Sequence, residues 1–230
     1  MIGLRARLAR LLRHPPRLPA IDTDENRGDV IVDGIGHRDY VGGFWDQLGD
    51  LQFHFMTEHG LQPHHVLIDV ACGSLRAGAR FVPYLNHGNY LGLDVNQELI
   101  AAGIDKELGR ELWEAKRPEF VVSQSFEFTR FSRQPDFALA QALFMHLPEE
   151  SITLCMHNLR LVAKPTTKFY ATFAFGKIPN RIELPSHPHV VYVHTRKQMV
   201  KFGRATNWNV RYIGNWHHPR GQVMVEYSAA

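Results

Sequence analysis

The stretch "LIDVACGSLRAGARF", residues 67 to 81, is an apolar run that stops at an acid, turns through Cys72 and Gly73, and restarts with helical spacing. Asp69 closes the run, and a second acid, Asp94 in "LGLDV", closes another apolar run further on. Such a turn is built to hold a ligand above it. It is not a phosphate loop, because the Gly-Lys-Ser/Thr ending is missing, and Ala71 stands where the first glycine of a G-x-G-x-x-G fingerprint would be. A ligand other than a nucleotide phosphate is implied. Downstream, "AQALFMHLP" supplies Gln141 and His146 after a third apolar run. His146 is of the right type for a general base, with an ordinary pKa of about 6.5, and Gln141 is suited to positioning. Cys72 has no base beside it in sequence and reads as a small packing residue. The H-x-H and H-H pairs at His187, His189, His217 and His218 lack a third ligand with metal spacing, so no metal site is expected.

These residues need a frame. Phe44, Leu48, Leu51 and Phe55 recur at steps of four, three and four, which predicts an amphipathic helix whose apolar side, including Phe44, Leu48 and Leu51, belongs to the core. Strands are predicted at 66–70, 90–95, 120–123, 136–142 and 169–173. Helices are predicted between them: one from about Ser74 to Leu85, one capped by Asn96, and one from Glu149 to Val162. Alternation of this kind implies a parallel sheet covered by helices. Residues 176–194 read as a long Pro- and His-containing loop, followed by a helix from Thr195 and two β-rich runs, 210–213 and 222–227, that would close as an antiparallel hairpin. The fold expected is a doubly wound, mostly parallel, seven-stranded α/β sheet. Its first strand-to-helix turn, from Asp69 to Arg76, would border the crevice where strand order reverses.

Composition narrows the function. The 230 residues carry a formal charge of +3, but the first twenty hold five arginines and no acid, so the body is near neutral and offers no broad basic face for nucleic acid. Only two cysteines occur, Cys72 and Cys155, which argues against a disulfide framework. Arginines interrupt the leucine stripe at Leu4, Leu8, Leu11 and Leu12, and no apolar run reaches the ~20 residues that span a bilayer. A cytoplasmic protein without integral membrane association is therefore expected. Its predicted parts are a basic arm (1–20), a helical lid (21–62) and a Rossmann-like core (63–230); an arm of this kind could reach a second copy in a homodimer.

The turn, with Asp69, "ACG" and Asp94, resembles the first motif of class I S-adenosylmethionine-dependent methyltransferases. The likeness is nearer to a bacterial subgroup reading Cys-Gly-Ser-Leu-Arg, and it extends through "NYLGLDVNQELIAAG", "FALAQALFMHLP", "KFYATF" and "HHPRGQVMV". Two departures are Ala71 for the usual glycine and "KPTTKF" for the common Lys-Pro-Gly-Gly turn. The resemblance implies S-adenosylmethionine as cofactor and S-adenosylhomocysteine as product. It gives Asp94 the two ribose hydroxyls, Asp69 the methionine ammonium, and Arg76 the methionine carboxylate. Ala71, Gly73 and Ser74 would approach the cofactor, and Ser123, Gln124, Ser125 and Phe126 would border the adenine. The helix near Trp45 stands where this class places a lid, so Tyr40, Gly42, Gly43, Trp45 and Gln52 are candidate contacts. Acceptor contacts are expected from Tyr40, Trp45, His146, His189 and His217, with His146 and Gln141 at the reacting atoms. The acceptor expected is a small molecule or glycan, foremost a sugar hydroxyl. A small aromatic or lipid, methylated on oxygen or nitrogen, is the alternative, and magnesium is compatible with O-methylation although no residue pattern marks it. A nicotinamide oxidoreductase would instead show the glycine fingerprint, and a degenerate cofactor-binding scaffold would keep the acids without turnover.

Overall fold

The computed structural model describes residues 31–32, 34–183 and 190–229. A two-stranded ladder, β1 (Ile31–Val32) and β2 (Ile35–Gly36), leads into a short helix α1 (His37–Tyr40) and the longer α2 (Trp45–Glu58). The sheet then begins with β3 (Leu67–Val70), followed by α3 (Gly78–Tyr84) and β4 (Tyr90–Asp94). Next come α4 (Gln97–Ala102), a π-helical turn (Gly103–Leu108), α5 (Gly109–Lys116) and β5 (Glu119–Val122). The second half holds β6 (Phe137–Ala140), α6 (Glu149–Val162), β7 (Lys168–Phe175), β8 (Asn180–Glu183), β9 (Val190–His194), α7 (Arg196–Ala205), β10 (Trp208–Asn215) and β11 (Val223–Ala229).

Seven strands lie in the order β10-β11-β7-β6-β3-β4-β5, with β11 antiparallel to both neighbours and the five central strands parallel. From β3 the chain winds outward through β4 to β5, then crosses back to lay β6 on the other side of β3. The crevice therefore opens beyond the carboxyl ends of β3 and β6. Side-chain alternation explains why these runs are apolar throughout. Ile68, Val70, Ala138 and Ala140 enter one core, while Leu67, Phe137 and Leu139 enter the core on the opposite face, which also takes Phe55 and Met56 of α2.

The expected elements form, with three differences. The helix predicted from Ser74 becomes regular only at Gly78, because Leu75 adopts a φ of +67° and residues 73–77 stay as turns. The long loop 176–194 contains a hairpin, β8 with β9, whose β9 pairs parallel with the end of β7. Its run "VVYVH" is β-branched and alternates in burial, a strand signal that the surrounding prolines and histidines obscured. Phe44 does not join the core: it caps α2 with a φ of +50° and lies only partly buried. Among the described residues, no helix is long and apolar enough to cross a membrane.

Candidate active site

Five non-glycine residues with left-handed backbone, Phe44, Ala71, Leu75, Ala142 and His217, fall on four segments that converge over the ends of β3 and β6. Each costs of order 1–2 kcal/mol, and such strain is retained where the surroundings over-determine it. The contacts joining the four segments run through Arg76, Gln141, His218 and Arg220.

Asp69 is the penultimate residue of β3, buried, and accepts a hydrogen bond of 2.6 Å from the Tyr90 hydroxyl. Burial raises its pKa, the Tyr90 bond opposes this, nearby Asp94 raises it further and Arg76 lowers it, leaving the carboxyl at about 6. Asp94 ends β4; its two oxygens accept the Gly73 and Asn96 amides, each at 2.8 Å. Burial also lifts this carboxyl above its ordinary value, against the pull of those N–H donors. A carboxylate has about four lone-pair positions, so each Asp94 oxygen still has room for a ligand hydroxyl. Gly73 adopts a φ of +54°, and a Cβ there would lie 2.6 Å from the Val41 side chain. The close approach that its missing side chain permits is thus made by Val41, in the segment expected to form the lid. Ala71 takes the same left-handed conformation, φ +61°, so it performs a glycine's backbone task at some cost in strain.

Arg76 is the hub. It donates through Nη1 to the carbonyls of Val41 and Gly43, both at 2.9 Å, and through Nη2 to Gln141 Oε1 at 2.6 Å. Its Nε is buried without a hydrogen-bond partner. Burial first, then the charge of Arg220, lowers its pKa to about 10, with Asp69 acting the other way. Gln141, its oxygen taken by Arg76, turns its nitrogen to within 3.2 Å of His218 Nε2. His218 is buried and stacks on Trp216, and burial, Arg220 and Arg76 push its pKa down to about 3, so the ring is neutral over the working range. Behind it, the Ala142 amide donates to Thr172 Oγ1, the Thr172 hydroxyl donates to Gln222 Oε1, and the Gln222 amide reaches Met145 Sδ at 3.0 Å. This relay pins the segment after β6 to β7 and β11.

The other expected residues divide. Ser74 is fully buried and donates to the His37 carbonyl at 2.8 Å, so it ties the turn to the lid and presents no hydroxyl to the crevice. Trp45 is nearly buried, its ring under the Arg38 guanidinium (4.8 Å) and edge-on to His37, while Tyr40 is half-buried at the end of α1. Gln52 is buried and donates to the carbonyl of Leu48 within α2. The Phe126 ring belongs to the core, where it stacks on Phe128; the apolar wall expected there faces inward. Ser123 Oγ accepts the amides of Ser125 and Glu127, closing this loop on itself, while the side chains of Gln124 and Ser125 are exposed. His146 is exposed on the 3-10 turn Phe144–His146, with Nδ1 3.2 Å from the Val190 carbonyl. His217 is exposed and stands apart from Gln141; its neighbour His218 takes that place. His187 and His189 lie outside the described residues. Cys72 is buried, and burial followed by Asp94 and Asp69 pushes its thiol well up, consistent with an inert packing residue.

The lid is tied down by charge. Arg38 grips Glu107 with two bonds of 2.7 and 2.9 Å, and His37 adds a third at 2.8 Å, joining α1 to the π-helical turn. Arg80 of α3 bonds Asp46 and Asp50 of α2 at 2.6 and 3.0 Å. Sequence reasoning gave no role to His218, Arg220, Thr172 or Gln222. For His218, Arg220 and Gln222 the signal was the polar loop "HHPRGQ" between two β-rich runs, whereas Thr172 lies inside the strand run "KFYATF" and carried none.

No protein-family profile matches this sequence. Solved structures do resemble it in fold. Magnesium protoporphyrin IX methyltransferase from Synechocystis PCC 6803 with bound S-adenosylmethionine is 15% identical, with a TM-score of 0.61 over 91% of this chain and 92% of that one. A glycopeptide N-methyltransferase complexed with S-adenosylhomocysteine is 14% identical, with a TM-score of 0.62 over 88% of this chain and 100% of that one. An S-adenosylmethionine-dependent methyltransferase from Clostridium acetobutylicum is 9% identical, with a TM-score of 0.60 over 84% and 96%. The chain has the class I S-adenosylmethionine-dependent methyltransferase fold.

Proposed function

We propose that this protein is an S-adenosylmethionine-dependent methyltransferase acting on a small-molecule or glycan acceptor, foremost the hydroxyl of a sugar. The observation that carries the reading is the meeting of Asp69, Asp94 and the Arg76–Gln141 pair at the switch point of a methyltransferase fold. The residues fit that cofactor: two buried carboxylates retain lone pairs, and a buried guanidinium nitrogen lacks a partner. When bound, the cofactor supplies an electrophilic methyl group on a sulfonium.

The protein's part is positioning, charge and proton transfer. Asp94 would accept the ribose hydroxyls, Asp69 would face the ammonium, and Arg76 would meet the carboxylate through Nε while its other nitrogens hold the lid. Gln141, fixed between Arg76 and His218, is suited to orienting the acceptor at the ~3 Å that in-line displacement requires. His146 would take the hydroxyl proton. Closing the lid excludes water, whose attack on the methyl donor would waste it. The neighbours' own reactions, named as methylation of a magnesium porphyrin and of a glycopeptide nitrogen, keep N-methylation and larger acceptors in the acceptor screen.

Asp69 makes binding pH-dependent. Its pKa of about 6 in the free protein means that the ionised form, which the ammonium prefers, is lost as pH falls. S-adenosylhomocysteine affinity should therefore weaken about tenfold from pH 7 to pH 5, and Asp69→Asn should be weaker and flat over that range. Calorimetry with S-adenosylmethionine, S-adenosylhomocysteine and NADH tests the assignment directly; binding of NADH alone would turn it toward the oxidoreductase. Once an acceptor is found, His146→Ala should lower kcat by about 100-fold without changing cofactor affinity. An undiminished rate would remove His146 as base, and cofactor binding without any turnover would favour the scaffold.

A further inference from the structure

We propose that Arg220 forms an anion subsite beside the methyl-transfer position, so that the acceptor carries a carboxylate or phosphate next to the atom that is methylated. This rests on the methyltransferase reading and adds the acceptor's charge class to it. Arg220 projects from the loop between β10 and β11, lays its guanidinium over the Phe44 ring at 4.8 Å, and donates to the Gly42 carbonyl at 2.6 Å. Arg76 donates to the carbonyls on either side, those of Val41 and Gly43. Two guanidinium groups thus grip three consecutive lid residues.

Neither arginine has a carboxylate hydrogen-bonded to it among the described residues. Of the acids around them, Asp94 is engaged by the Gly73 and Asn96 amides, Asp69 by Tyr90, Asp46 and Asp50 by Arg80, and Glu107 by Arg38 and His37, while Asp39, whose carboxylate lies beside Gly43, makes no hydrogen bond to either arginine. Arg76 is buried, and a buried arginine without a carboxylate is uncommon, because the desolvation is normally offset by a paired anion. Burial is the first cause that lowers the pKa values of Arg76 and His218, and the charge of Arg220 lowers both further. A methyl donor with a sulfonium and an ammonium adds two more cations and one carboxylate. That carboxylate matches Arg76, the deeper of the pair, through its unpartnered Nε. Arg220, exposed at the lid, is left for an anion that arrives with the acceptor. Its planar fork, with a single side-chain bond among the described residues, keeps donors for a bidentate carboxylate or phosphate. For a sugar acceptor this means a uronate or a sugar phosphate, with neutral sugars bound weakly.

The test titrates inorganic sulfate, at constant ionic strength, into protein saturated with S-adenosylhomocysteine, for the wild type, Arg220→Gln and Arg220→Lys. Saturable binding is expected in the wild type, weakened at least fivefold in Arg220→Gln and less in Arg220→Lys, and weakened clearly more than the affinity for the cofactor product. In parallel, glucuronate should bind at least tenfold more tightly than glucose, and that preference should vanish in Arg220→Gln. Sulfate binding that is not saturable, or is equal in Arg220→Gln, overturns the proposal. So does a variant in which S-adenosylhomocysteine weakens as much as sulfate, since Arg220 would then be a lid latch alone. If the adenosyl ligand fails to bind at all, the methyl-transfer reading falls, and sulfate titrated into the unliganded protein still decides whether Arg220 holds an anion.

Discussion

Asp94→Ala is expected to lower affinity for S-adenosylhomocysteine by about 100-fold or more. On the proposed ribose assignment, two charge-assisted hydrogen bonds would disappear, and at ~1.5 kcal/mol or more each their loss would amount to two decades in Kd. The substitution also strips the Gly73 and Asn96 amides of their acceptors, loosening both the first-motif turn and the start of α4. Removing the carboxylate relieves its burial cost, which raises its pKa, so the net stability loss should stay near ~1–2 kcal/mol and the variant should fold. Asp94→Asn separates charge from shape, because its amide nitrogen must face one of those two N–H donors. It should lose affinity by at least about tenfold despite its matched volume. Calorimetry beside a thermal melt reads both quantities; a folded Asp94→Asn protein with wild-type affinity would contradict the ribose assignment.

Gly103→Ala should be the most destabilising small substitution near the site. A Cβ at this position would stand 2.6 Å from both the Ser74 carbonyl oxygen and Leu75 Cγ, and 2.7 Å from the Ser74 carbonyl carbon. Backbone cannot swing aside as a flexible side chain does, so either the π-helical turn or the first-motif turn must shift. Overpacking of this kind costs about 3 kcal/mol or more, and for a chain of this size that is a Tm lower by roughly 6–12 °C. Gly221→Ala provides the contrast. Its φ is +69° but nothing lies within 4 Å of the added Cβ, so only left-handed strain of about 1 kcal/mol is incurred. Circular dichroism melts of the two variants distinguish contact from conformation. Because Ser74 and Leu75 lie next to Gly73, folded Gly103→Ala protein should also bind S-adenosylhomocysteine more weakly; equal melting points for the two variants would refute the packing argument.

How much of this was legible in the residues follows from the range of each interaction. Strand runs such as "VLIDV" and "YLGLD", the Asn96 cap and the closing hairpin are local patterns, set by side-chain alternation and by a side chain reaching its own backbone two or three residues on. The acids at the ends of β3 and β4 could likewise be read, since strand and turn chemistry place them one after the other along the chain. Longer-range contacts carried no such signature. Arg220 meets Gly42 across 178 positions, and His218 meets Gln141 across 77, so only the crossover of the sheet and the fold-back of the hairpin could bring them together. Packing also reassigned residues whose types invited a site role. Phe126 turned to the core because burying a ring is worth more than lining an open cleft, and Ser74 spent its hydroxyl on the His37 carbonyl. Local sequence determined that a turn stands between the first two sheet strands and where the two carboxylates at their ends lie. Tertiary structure alone decided which cations face them, because charge pairing depends on distance in space and not on distance along the chain.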